Sequence, residues 1–260
     1  MEFEIDFRNL PFTETSKTGS HWNRLNWRCE ILLTRNKGLI QGKRVLDLAS
    51  HDGRFSYACL KLGASHVVGI EGRDYLVDFA KENIKKLGFK SHDFDFINDD
   101  IFKYLRTVQK HQFDIVLCFG FFYHTIRQIE LLKEMIRIAP HCFMLDTSLA
   151  GVIYPAEGFK LTHKYYYDVR VKYYKEKLLN KFKLPSLVFD VEDHELESST
   201  IDTCGLVARP TESFLQLFFG QLNWKFKKLQ WCKVHIRDWT WLNDYKAGKR
   251  VSYLCFLPRA

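Results

Sequence analysis

A chain of 260 residues, 46% hydrophobic and 15% aromatic, can bury one substantial core or a core with an appendage, which excludes a chain disordered throughout. Its formal net charge of +8 suits an anionic partner but speaks first to solubility and long-range steering. The seven cysteines (Cys29, Cys59, Cys118, Cys142, Cys204, Cys232 and Cys255) are odd in number, with no CxxC pair or zinc spacing, and the ten histidines form no paired-ligand pattern. Reduced core thiols and no metal are therefore expected.

The first twenty residues carry charge from Glu2 onward and contain no apolar run of signal-peptide length. No later segment approaches the roughly 20 apolar residues of a membrane span, so the expected protein is cytoplasmic with no membrane partner. Residues 1–38 read as an arm followed by a short amphipathic leader helix, Trp22 to Leu33. From Arg44 the pattern alternates between short apolar runs and helical periodicity, which predicts a parallel sheet with helices on both faces. The strands read as Arg44 to Leu48, His66 to Glu71, Phe94 to Asn98, Phe113 to Phe119 and Cys142 to Thr147. Among the helices, Tyr75 to Leu87 puts its apolar side chains on one stripe and is closed by Gly88.

Residues 39–150 thus form a predicted cofactor-binding core, and 151–203 an insertion. That insertion holds a basic tyrosine-rich stretch, His163 to Lys183, then an acidic segment (Asp190, Glu192, Asp193, Glu195, Glu197). The basic stretch fits either a helix covering the domain or a surface for phosphates and bases, and the acids after it argue against nucleic acid and for a lid. Residues 204–260 are expected to supply a helix, Thr211 to Leu222, and strands at Lys225 to Trp231 and Arg250 to Leu257.

The chemistry concentrates in Val45 to Gly88, a strand, tight turn, helix, acid-ended strand and second helix. In an open parallel sheet, ligands bind outside the carboxyl ends of the strands, which is where Asp47 to Gly53 falls. Gly53 lets backbone pass under a ligand, Asp47 can accept from a cationic amino group, and Glu71, followed by Gly72 and Arg73, can take both hydroxyls of a ribose. A helix-capping role for the acids is the alternative. A dinucleotide dehydrogenase would need further glycines around its pyrophosphate, so their absence favours a ligand without phosphate.

This segment resembles the class I S-adenosylmethionine-dependent methyltransferases, whose first motif is an acid followed by GxGxG. Here Ala49 and His51 replace the first two glycines and Gly53 keeps the third. The resemblance implies a Rossmann-like α/β fold with a seven-stranded sheet whose final strand is antiparallel, S-adenosylmethionine as cofactor and S-adenosylhomocysteine as product. It also implies an acid near the adenine in FINDDIF, with Asp100 preferred over Asp99 and Ile101 beside it. In FDIVLCFGFFYHT it places Cys118 and Phe119 against the cofactor, and Tyr123 and His124 at the acceptor. His124 is a candidate general base, or else a hydrogen-bonded loop residue.

Several segments together (WNRLNWR, LIQGKRVLDLASHDG, GASHVVGIEG, FFYHT and GKRVSYL) are similar to the subfamily that modifies the wobble uridine of transfer RNA. That similarity nominates Trp22 and Arg28 beside the cofactor and Tyr123 and Arg250 beside the substrate. The expected function is methyl transfer to a small-molecule acceptor, with methyl or carboxymethyl transfer to tRNA and a non-catalytic binding module as alternatives.

Overall fold

The computed structural model describes residues 2–16, 18–150 and 185–258. The basic stretch from Lys160 to Lys183, and with it the proposed covering helix, lies outside them.

The leader helix α1 (Trp22–Leu32) leads through the short α2 (Lys37–Ile40) into β1 (Arg44–Leu48). There follow α3 (Arg54–Lys61), β2 (His66–Glu71), α4 (Asp74–Lys86), β3 (Phe94–Asn98), α5 (Ile101–Thr107), β4 (Ile115–Phe119), α6 (Gln128–Ile138) and β5 (Cys142–Ser148). After the insertion come β6 (Leu187–Val191), β7 (Leu206–Pro210), α7 (Glu212–Gln221), β8 (Lys225–Lys228), α8 (Asn243–Lys246) and β9 (Arg250–Phe256). Seven strands form one sheet in the order β3-β2-β1-β4-β5-β9-β8, with β1 to β5 parallel and β9 antiparallel to both β5 and β8.

Alternation along the strands divides the core. Val45, Val67, Ile115 and Leu117 face α1, α3 and α4, while Leu46, Leu48, Val68 and Val116 face α5, α6 and α7. The parallel strands are covered on both faces, as their near-continuous apolar runs require. Helix α4 ends as its glycine predicts: Gly88 has φ +91°, Phe89 N–H reaches Ile84 O and Gly88 N–H reaches Lys85 O. Helix α1 is more deeply enclosed than an amphipathic surface helix. Leu25, Trp27, Cys29, Ile31 and Leu32 enter the core, and Asn23 donates to Thr240 O (3.0 Å), so the 231–246 segment covers its other side.

Two expectations need correction. The eighth strand stops at Lys228 because Trp231 turns inward, stacks on Tyr245 at 3.6 Å and donates to Ser252 Oγ at 3.0 Å. The insertion also contributes β6, paired antiparallel with β7, so this hairpin crosses the expected boundary at 203.

The turn after β1 has the left-handed backbone of a glycine-rich loop with only the last of its glycines. Ala49 (φ +54°), His51 (φ +56°) and Gly53 (φ +84°) are all left-handed. An L-residue there is strained by roughly 1 kcal/mol. A Cβ on Gly53 would also lie 3.1 Å from both Ala80 Cβ and Phe96 Cζ. Chemical denaturation should therefore find Ala49→Gly more stable by about 0.5–1 kcal/mol and Gly53→Ala less stable than the parent. Equal stability of all three proteins would show the turn to be unstrained.

Candidate donor and acceptor site

At the carboxyl ends of β1, β2 and β4 lies a cavity of about 600 Å³. Glu71, 4% exposed, organises one end: one carboxylate oxygen accepts from His51 N–H (3.0 Å), the other from Arg73 N–H (3.1 Å). A single side chain thus fixes the turns after β1 and β2. Ala49, His51, Glu71, Gly72 and Arg73 line this end, with Asp99, Asp100 and Ile101 along the next wall. Asp100 additionally caps α5, accepting from Lys103 N–H at 2.8 Å. Both adjacent acids reach the wall, so the preference for Asp100 over Asp99 is not decided by placement.

The exit of β4 forms the other end, where Phe119, Tyr123 and His124 meet Arg28 and Arg250. Tyr123 Oη accepts from Arg250 Nη1 (3.4 Å), and the guanidinium carbons of Arg250 and Arg209 lie 5.3 and 5.1 Å from its ring centre. Burial alone would raise the Tyr123 hydroxyl, but the charges of Arg250 and His124 outweigh it and bring the group down to about 7. His124 Nδ1 is 2.5 Å from Glu192 Oε2.

Behind these residues, Asp146 is fully buried at the carboxyl-terminal end of β5. It accepts from Arg28 Nη2 (2.8 Å), Arg250 Nε (2.8 Å), Tyr245 Oη (2.9 Å) and Ser252 Oγ (2.7 Å). Burial opposes its charge, but the two arginines hold its carboxyl well below the usual range.

Four expected contacts fall off the cavity wall. Asp47 is buried beneath the turn, where Ser56 Oγ donates to it at 2.7 Å. Gly53 gives its space to Ala80 and Phe96, so its missing side chain serves packing and not ligand clearance. Cys118 points into the opposite core layer, the one holding Leu46 and Leu48. Trp22 packs on His21 and lies under the Arg8 guanidinium at 5.2 Å. Its helix reaches the cavity through Arg28, two turns further on.

The side chains of the acidic segment take separate tasks. Glu192 accepts from Thr200 N–H (2.9 Å) and Arg209 Nη2 (3.1 Å) as well as meeting His124. Glu197 engages Ser16, Thr18 N–H (3.2 Å) and the His51 ring (3.4 Å). Arg73 donates to Leu196 O (3.2 Å) and Ser199 O (3.0 Å). Residues 192–203 therefore form a strap across both ends of the cavity, and a Cβ on Gly72 would run into Ile201. The hydrogen bond from His51 draws Glu197 down to about 2 against partial burial. Burial and Arg54 would lower His51, but Asp52 and Glu197 together leave it raised. No periodic signal marks Glu192 or Glu197 in the sequence; Asp146, a lone acid in the strand CFMLDTS, carries one.

Strand order and cavity position define the Rossmann-like fold of class I methyltransferases. Residues 39–145 match the family described as a methyltransferase domain. A putative S-adenosylmethionine dependent methyltransferase from Listeria monocytogenes has a TM-score of 0.56 at 13% identity, covering 89% of this chain and 99% of that one. The N-terminal domain of EvdMO1 with SAH bound gives 0.54 at 17% identity, over 87% and 79%. Ribosomal RNA large subunit methyltransferase I of Escherichia coli O139:H28 (strain E24377A / ETEC) is 32% identical over 103 residues, 39% of this chain and 25% of that protein. The chain thus spans about a quarter of the length of the curated relatives it matches. Among the described residues, no helix is long and apolar enough to cross a membrane and no group of three or more His, Cys, Asp or Glu is placed to hold a metal.

Asp47 provides a test of the buried turn. Burial, with repulsion from Glu71, raises its carboxyl from 3.8 to about 7 in spite of the Ser56 hydrogen bond. A raised carboxyl favours folding fully below its unfolded value, and that contribution is lost as pH rises through about 7. Denaturation between pH 5 and 8 should show wild-type stability falling by an Asp47-dependent part on the order of 2–4 kcal/mol, which Asp47→Asn removes. Parallel pH profiles for the two proteins would refute this ionisation.

Proposed function

We propose that the protein is an S-adenosylmethionine-dependent methyltransferase acting on a small-molecule acceptor, with S-adenosylhomocysteine as its second product. The observation that carries this reading is the Glu71 carboxylate on the cavity wall, holding the turns after β1 and β2 at the strand ends where this fold binds ligands. The residues present fit such a donor. Glu71 offers acceptor lone pairs for ribose hydroxyls, and Ala49 and His51 shape the turn beside it. Asp99, Asp100 and Ile101 form an adjoining wall suited to the base. Ser50 Oγ and Arg28 Nε, both buried on residues of the wall, have no hydrogen-bond partner among the described residues.

When bound, the donor supplies a methyl group already activated by the sulfonium charge. The protein's task is then alignment and proton removal. Tyr123 and His124, with Arg28 and Arg250 beside them, border the acceptor in this reading. The strap encloses the space, with Glu197 on the cavity wall and Glu192 behind His124, which favours a small acceptor over a polyanion.

An RNA acceptor, including the wobble uridine suggested by similarity, is the second reading. It is favoured by the net charge of +8 and by the match to a ribosomal RNA methyltransferase. Activity that falls steeply with salt in the tens to hundreds of millimolar and is blocked by polyphosphate would select it. Bound donor that no cell fraction ever turns over would instead select a non-catalytic binding module.

Titration calorimetry with S-adenosylhomocysteine tests the donor site. Glu71→Ala should weaken binding by roughly 1.5–3 kcal/mol, because it removes charge-assisted hydrogen bonds. Absence of binding to the wild type, or equal affinity for the variant, would exclude this site.

A further inference from the structure

We infer that Tyr123 is the proton acceptor of the reaction, working as a phenolate, and that the acceptor substrate therefore presents a hydroxyl, or a protonated amine that must lose its proton before it is methylated. This rests on the methyltransferase reading and adds to it both a base and an acceptor class.

The geometry concerns the charges around one oxygen. Tyr123 lines the cavity, and its Oη receives a hydrogen bond from Arg250 Nη1 at 3.4 Å. Arg250 from β9 and Arg209 from β7 approach the ring, Arg28 comes from α1, and the neighbouring His124 ring is 4.0 Å away between centroids. The nearby acids are engaged: Asp146 binds Arg28 and Arg250, Asp244 binds Arg24 at 2.7 Å and lies 4.0 Å from Arg250, and Glu192 binds Arg209 and meets the His124 ring. Tyr245, the other nearby phenol, donates to Asp146, and burial raises its hydroxyl, so it stays neutral. Tyr123 is thus the phenol on the wall facing positive charge, which agrees with the lowering of its hydroxyl to about 7.

His124 is the obvious competitor for the role. Glu192 meets its Nδ1 and leaves Nε2 as the competing base, whereas the Tyr123 oxygen faces Arg250, a donor that favours its charged form. In the proposed step a hydroxyl passes its proton to Tyr123 Oη as the oxygen–methyl bond forms, whereas a protonated amine passes its proton first, freeing the lone pair that then forms the nitrogen–methyl bond. The methyl–sulfur bond breaks with its electron pair remaining on sulfur. The products are the methylated acceptor, a neutral thioether and neutral tyrosine, so charge and atoms balance. A carbon acceptor without an acidic proton would have no use for this arrangement.

The first test needs no turnover. Near-ultraviolet titration of the full chain should show one of its twelve tyrosines ionising around neutral pH, a step absent from Tyr123→Phe and moved to higher pH in Arg250→Gln. Superimposable titrations of wild type and Tyr123→Phe below about pH 9 would overturn the phenolate. Circular dichroism establishes that each variant is folded, and Arg250→Gln keeps the test decisive if Tyr123→Phe is not. The second test supplies methyl-labelled donor and the small-molecule fraction of a cell extract. Label should appear on oxygen or nitrogen, at a rate that climbs with pH to the Tyr123 midpoint and then levels, and Tyr123→Phe should lose about a hundredfold or more. Label on carbon, or a rate indifferent to the tyrosine's ionisation, would overturn the base. S-adenosylhomocysteine binding, measured on the same samples, separates the cases: a titrating tyrosine without binding sinks the methyltransferase reading, and binding without a titrating tyrosine sinks only the base.

Discussion

Asp146 is the point on which the rest of the site depends. Taking a carboxylate and two guanidinium groups out of water costs several kcal/mol per ion, recovered only when geometry and further hydrogen bonds satisfy every group. Here one carboxylate gathers Arg28 from the leader helix, Arg250 and Ser252 from β9 and Tyr245 from α8, while Trp231 completes the ring through Ser252. The leader, the fifth strand and the carboxyl-terminal segment therefore meet at one charge. Their mutual position determines where the two arginines emerge beside Tyr123.

The frame of the domain was legible in the sequence because it depends on short-range pattern. The spans of β1, β2 and β3 agree residue for residue with the alternation of apolar runs, and α4 ends where Gly88 indicates. Glu71, Ala49, His51, Asp99, Asp100, Tyr123 and His124 reach the cavity wall because strand ends and their turns lie there in an open parallel sheet, while Arg28 arrives from α1 and Arg250 from the start of the antiparallel β9. Asp47, one residue short of the strand's end, points beneath the turn, where Ser56 holds it. Cys118 alternates with Phe119, and its side chain enters the core layer that holds Leu46 and Leu48.

What composition could not convey was pairing over long separations. Glu192 meets a histidine 68 positions earlier and Glu197 a serine 181 positions earlier. An acidic run offers no sign of which members turn inward, because the choice belongs to the surface onto which the chain folds back. The β6–β7 hairpin was hidden for a related reason, its two strands being separated by the strap itself. The same loop that obscured the hairpin carries the side chains that close the cavity.

The left-handed turn bears on how such domains are to be found. A pattern of glycines is a record of backbone angle written in the least demanding residue, and at Ala49 and His51 that angle persists after the letters have changed. Natural selection can then treat the second of these positions as a free side chain, and here it has become the tie between the domain, its amino-terminal arm and the strap. The turn therefore keeps its path at both positions, and the side chain a glycine would lack is the one that reaches Ser16 and Glu197.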